Sequence, residues 1–145
     1  MSQPVQSFDN HAKIVTGYHR VAFGLLMAFF VWTVARLVGD FSAGGVFNLL
    51  FVLGVMIVTF YARVFALGVQ DRVIRLEERM RMERLLPDEL RPRIGDVTTE
   101  QLVGLRFASD GELADLTRRA LDGELTDRKS IKKAVTNWRA DHQRI

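Results

Sequence analysis

Two apolar runs separated by only seven residues restrict this chain more than any other feature. The first is VAFGLLMAFFVWTVARLV (residues 21–38) and the second is VFNLLFVLGVMIVTFYA (residues 46–62). A helix rises 1.5 Å per residue, so about 20 residues cross a hydrocarbon core of ~30 Å. Neither run has a polar face, which a helix hairpin packed in a soluble protein would need on its solvent side. The short GDFSAGG connection forces an antiparallel pair. Residues 21–67 carry three charges, Arg36, Asp40 and Arg63, whereas residues 68–145 carry 16 Lys+Arg and 15 Asp+Glu. Such a partition implies two solvents, and it predicts an all-α protein whose helical hairpin is integral to a membrane.

The segment before the first run is polar and contains Asp9, and no small-x-small cleavage pattern follows the run. The run therefore reads as a retained span rather than a signal peptide. Basic residues flank the hairpin at its chain ends (Lys13 and Arg20, then Arg63, Arg72, Arg75 and Arg79), and the connecting loop has none. The positive-inside rule then puts both termini in the cytoplasm and residues 39–45 outside. Small residues recur at helical spacing: Gly24, Ala28 and Ala35 in the first span, and Gly54, Ala62 and Ala66 in the second. They admit close backbone approach, either within the hairpin or to a further helix. Trp32 and Phe51 belong to an aromatic surface that suits lipid, pigment, quinone or protein. With no acid or histidine near mid-membrane, proton relay and ion transport have no candidate residues.

YARVFALGVQDRVIRLEERMRMERLLP (residues 61–87) holds no helix breaker before Pro87, so the second helix is predicted to continue into water. Val69, Val73, Leu76 and Met80 step by four, three and four along one stripe. Asp71–Arg75, Glu77–Arg81 and Arg79–Glu83 are spaced to pair along its other faces. This juxtamembrane helix reads either as a charged stalk or as a spacer whose stripe docks another helix.

The remaining chain reads as a linker (88–97) and a small cytoplasmic three-helix domain (98–145), following a polar segment (1–17), the hairpin (18–67) and the charged helix (68–87). Thr98 with Gln101 and Ser109 with Glu112 have capping-box spacing, and Thr126 is placed to cap the last helix. Gly123 is a natural helix stop. Ile131, Ala134, Val135 and Trp138 have amphipathic spacing. Forty-eight residues bury a small core, so this domain is expected to lean on the juxtamembrane helix or on a partner. Its final segment is basic (Arg128, Lys129, Lys132, Lys133, Arg139) and follows an acidic stretch, so it can neutralise its neighbour, meet an acidic partner or touch anionic headgroups. Membrane tethering and short helices argue against a nucleic-acid partner.

Enzymatic chemistry has no foothold in the sequence. There is no cysteine, and His11, His19 and His142 lack metal-ligand spacing. No phosphate-binding glycine loop, nucleophile elbow or paired carboxylate motif stands out. Neither a metal nor a cofactor is therefore expected. His19 is the single reservation, since an interfacial imidazole beside Gly17 has room to ligate a porphyrin-type pigment.

NHA (residues 10–12), the 61–87 stretch, QLVGLRFASDGELADL (101–116) and IKKAVTNWRADHQRI (131–145) together resemble a family of small bacterial two-span membrane proteins known only as a domain of unknown function. The resemblance implies an inner-membrane protein with a cytoplasmic C-terminus and carries no activity. The expectation is a non-catalytic accessory subunit that binds a larger membrane complex of respiratory or photosynthetic type. A lipid-interacting protein acting through its basic tail and a pigment- or quinone-contacting polypeptide are the alternatives.

Overall fold

A computed structural model describes residues 6–8, 10 and 14–141. His11, Lys13, His142 and Arg144 lie outside the described residues. Among the described residues every regular element is helical, and one isolated antiparallel bridge joins Ala108 with Trp138. A π-helical turn (Gly17–Ala22) runs directly into α1 (Phe23–Gly39). Then follow α2 (Ala43–Leu85), a 3-10 helix (Arg91–Asp96), α3 (Thr99–Leu105), α4 (Leu113–Leu121) and α5 (Arg128–Ala134). The chain divides into two compact units: Lys13–Ala66, and Leu67–Ile145 together with Met1–Ala12. The two ends of α2 fall in different units.

In the first unit, the continuous helix Gly17–Gly39 and the 43-residue α2 are both long and apolar enough to cross a membrane. Only 6% of each apolar window is buried, unlike the core helix of a soluble protein. Thr33 and Val52 are the buried side chains among the described residues of this unit. Thr33 returns its hydroxyl to the Phe29 carbonyl at 2.8 Å, leaving no orphaned donor. The connection is shorter than the sequence suggests, because α2 begins at Ala43 and the Ser42 hydroxyl accepts from the Gly45 N–H at 3.1 Å. A Cβ at Gly45 would stand 2.9 Å from Leu37 Cδ1, so this glycine permits the tight approach at the turn.

The second unit differs from its sequence reading in several ways. Residues 88–97 are not a linker: Leu90, Ile94 and Val97 are buried members of the core. That core joins Met82 and Leu86 at the end of α2 to Leu102, Leu105, Leu113, Leu116, Ile131 and Val135. The small helices thus close over the last turns of α2, which supplies the support that a 48-residue domain lacks on its own.

The Thr98–Gln101 capping box is present, and Gln101 additionally donates to the Ala120 and Leu125 carbonyls at 3.0 and 3.1 Å. The box expected at Ser109 is absent. The Glu112 carboxylate is drawn instead to the backbone N–H of Asn137 at 3.1 Å and to the Thr136 hydroxyl. Asp127, not Thr126, caps α5, accepting from the Lys129 and Ser130 N–H groups at 2.7 Å each. Helix α5 also stops at Ala134, short of the expected Trp138. From Val135 the backbone is extended, and residues 137–139 pair with 107–109 through Ser109 N–H to Asn137 O (3.1 Å) and Arg139 N–H to Phe107 O (2.8 Å). Gly123 has φ of +81°, so the expected helix stop takes the left-handed conformation that favours glycine.

Helices α3 and α5 cross at Gly104. A Cβ there would meet Ile131 Cβ at 2.8 Å and the Arg128 backbone at 3.3 Å. We therefore expect Gly104→Ala to destabilise this unit by about 1–3 kcal/mol through overpacking. Faster amide exchange across α3 and α5 of the full chain, at unchanged span insertion, checks it.

Candidate interaction surfaces

The lateral faces of the two long apolar helices form the first surface. A Cβ added at Gly24 or at Gly54 would find nothing within 4 Å. Ala28, Ala35 and Ala62 are exposed, and Ala66 is half-buried. The small residues at Gly24 and Gly54 therefore make no close contact within the hairpin, whereas Thr33 and Val52 are buried. Trp32 and Phe51 are likewise outward, 55% and 68% exposed, and Trp32 stacks on Phe29 at 5.6 Å.

A groove of about 490 Å³ opens between the helices, lined by Tyr18, His19, Phe23, Leu26, Met56, Thr59, Phe60 and Arg63. Its rim is tied by the Tyr18 hydroxyl, which donates to the Thr59 carbonyl. His19 sits edge-on to Tyr18, and its Nδ1 lies 3.1 Å from both the backbone N and O of Val15. One ring nitrogen is thus engaged by the helix itself. Any pigment-ligating role for His19 would fall to Nε2.

The second surface lies on the Leu85 side of α2. Val69, Val73, Leu76 and Met80 are 63%, 48%, 62% and 54% exposed. The face that packs within the chain is another one, carrying Ile74, Glu78, Arg81 and Met82, all buried. The pairing expected between Glu77 and Arg81 is replaced accordingly. Arg81 Nη1 bonds Glu78 at 2.9 Å, Nη2 bonds Asp110 at 2.6 Å and the Ala108 carbonyl at 2.8 Å, and Nε bonds Asp110 at 3.0 Å. Arg139 adds a second cation to Glu78 at 3.2 Å. This network walls a cleft of about 1050 Å³ whose other charged residues are Glu77, Arg84, Arg106 and Asp141. Acids and bases there balance, so the cleft has no strong preference for an ion of either sign. No group of three or more metal-ligating side chains occurs among the described residues.

The basic segment is the third surface, and most of it is spoken for. Arg128 forms a two-point salt bridge with Glu100. Lys132 is buried, with its ammonium 5.0 Å from the Phe107 ring centroid. Arg139 is held by Glu78, and Lys133 stands 5.8 Å over the Phe8 ring. Lys129 is exposed. Internal neutralisation was one of the uses read from the sequence, but the acids that supply it, Glu78 and Glu100, lie far away in the chain and outside the acidic stretch. A further unforeseen tie joins residues 135 positions apart, where the Gln6 amide exchanges hydrogen bonds with the Asp141 backbone at 2.8 and 3.0 Å.

These pairings bias the unit toward neutral pH. The Arg128 hydrogen bond holds Glu100 below its ordinary 4.5, and the Arg81 hydrogen bond holds Asp110 below its ordinary 3.8. Backbone N–H groups of Ser130 and Lys129 lower Asp127 in the same way. Depressed carboxylates contribute stability that is present above their unfolded values and is lost as pH falls through the folded ones. Unfolding of this unit is therefore expected to be insensitive to pH above about 5 and to become progressively easier below about 4.5. Glu100→Gln should flatten that acid limb in denaturant titrations across pH.

The model described as "Family of unknown function (DUF6526)" matches residues 1–145. The chain belongs to DUF6526. Among curated proteins and solved structures, none matches it. Membership of DUF6526 accords with the resemblance read from residues 101–116 and 131–145, and it brings no activity with it.

Proposed function

We propose that this DUF6526 protein is a two-span protein of a bacterial inner membrane, with both termini and its helical C-terminal unit in the cytoplasm. Its work is non-catalytic: an accessory subunit that binds and stabilises a larger membrane complex, of respiratory or photosynthetic type. The observation carrying this reading is the open, outward position of Gly24 and Gly54, with Trp32 and Phe51 exposed on the same spans. In lipid, small residues serve close helix contact, and neither glycine serves it inside the hairpin. Arginines on the C-terminal side of the second span supply the orientation.

The lipid-binding alternative loses ground, because Arg128, Lys132 and Arg139 are engaged within the unit. Lys129 and Lys133 are its accessible cations, so Lys129→Glu with Lys133→Glu is the variant that tests it without breaking the core. The apolar groove beside His19 favours a second reading, contact with a pigment or quinone of the host complex.

The test is co-purification from native membranes. Gly54→Leu is expected to reduce recovery of partner subunits about tenfold or more by blocking close helix approach, with insertion of the chain unchanged. Undiminished recovery for Gly54→Leu and also for Phe51→Ala would count against the proposal.

A further inference from the structure

We infer that two copies of this chain pair in parallel through the Val69, Val73, Leu76 and Met80 face of α2. This rests on the membrane reading above, which inserts every copy in the same direction and so makes parallel the only geometry open to a side-by-side pair. The four residues occupy alternating d and a positions of a heptad register, and all are about half or more exposed. The helix's other side is already consumed, since Ile74, Glu78, Arg81 and Met82 are buried by the chain's own C-terminal unit.

Charge complementarity names the occupant. In this register Arg72 takes position g and Glu77 takes position e of the following heptad, the two positions that face each other across a parallel dimer. Both are exposed, and neither forms a salt bridge inside the chain among the described residues. A two-fold axis therefore creates the Arg72–Glu77 pair twice. An antiparallel seam would not: it sets g against g and e against e, bringing Arg72 toward arginine. Val73 at a and Leu76 at d is the combination that favours two strands. The seam has a natural end, because the next g–e pair would be Arg79 with Arg84 and the helix stops before Pro87. Two heptads are short for water, but co-insertion in one membrane raises the effective concentration of the copies.

The chain's lack of cysteine makes the test direct. Single substitutions Val73→Cys and Leu76→Cys are introduced into the full chain and oxidised in intact membranes, with Arg75→Cys as an exposed position off the seam. Two-copy disulfide product is expected at least about fivefold more strongly at positions 73 and 76 than at 75, because disulfide formation requires close Cβ atoms. In the Leu76→Cys background, Glu77→Arg should reduce the product roughly tenfold through two like-charge contacts, and adding Arg72→Glu should restore it. Equal product at all three positions, or none at any, overturns the inference. A product carrying a different polypeptide also overturns it and assigns the face to a host subunit. Expression in a membrane without the host separates the two readings, because the pair should persist there while the accessory role cannot.

Discussion

Arg81→Ala is expected to destabilise the C-terminal unit by about 3–5 kcal/mol, the cost of leaving a buried charge without its partner. Arg81 is 5% exposed and Glu78 is 4% exposed. The guanidinium serves Glu78, Asp110 and the Ala108 carbonyl at once, so its removal strands an acid and an acceptor together. Arg139 alone is left facing Glu78, from a side chain that is itself half in solvent. Asp110, largely exposed, is re-hydrated at little cost. The contrast is informative: Glu78→Gln combined with Arg81→Met, which removes both buried charges, should cost clearly less than Arg81→Ala. Urea titration of the full chain in detergent, followed by amide exchange in α3 and α4, reads both variants. Equal stability of Arg81→Ala and the parent would show that the network is not what fixes α2 to the unit.

Phe107→Ala is the second large effect, again about 3–5 kcal/mol. The ring is fully buried. It lies 4.9 Å from the Trp138 ring, with the Arg106 guanidinium 4.6 Å and the Lys132 ammonium 5.0 Å from its centroid. Truncation leaves a cavity and also strips a buried lysine of its aromatic face, whose desolvated cation–π contact is worth about 2 kcal/mol. Set against a typical domain stability of about 5–15 kcal/mol, either variant removes a large share. Loss of the Phe107 ring should also release residues 137–139, whose pairing with 107–109 holds the end of the chain. Trp138 would then become quenchable by added iodide, which a simple uniform loss of stability would not produce under native conditions.

What could be read from the sequence was whatever depends on near neighbours. Two apolar runs without a polar face gave two long apolar helices, the absence of a breaker before Pro87 gave a helix through Leu85, and Thr98 with Gln101 gave a capping box. Each of those depends on residues within a few positions of one another. The failures share the opposite property. Glu112 left its expected box because Asn137 and Thr136 compete for its carboxylate, and α5 ended at Ala134 because residues 137–139 pair with 107–109. The α2 face that packs within the chain carried no sequence signal for a related reason. Hydrophobic periodicity selected Val69, Val73, Leu76 and Met80, whereas the packed face mixes Ile74 and Met82 with a buried Glu78–Arg81 pair. A buried ion pair looks like a solvated one in a sequence. The apolar stripe was visible, and the folded chain leaves it exposed.

The same logic reassigns the basic tail. The bases from Arg128 to Arg139 left neutralisation of a neighbour, an acidic partner and anionic headgroups all open, and Glu100, Glu78 and the Phe107 ring absorb three of them. The exposed apolar surfaces are then the lateral faces of the two long helices and the stripe of α2. Both are apolar, and both are suited to helices rather than to small polar substrates. An accessory subunit that arrives in pairs is consistent with both surfaces.

Native mass of the tagged chain, extracted from its own membranes in a mild detergent, tests the accessory role most directly. The account predicts co-migration with one large complex at fixed stoichiometry, with partner subunits present in the same band. A band of two copies, unchanged under the gentlest extraction, would contradict the accessory role while leaving the paired α2 helices standing, and a band of one copy would contradict both.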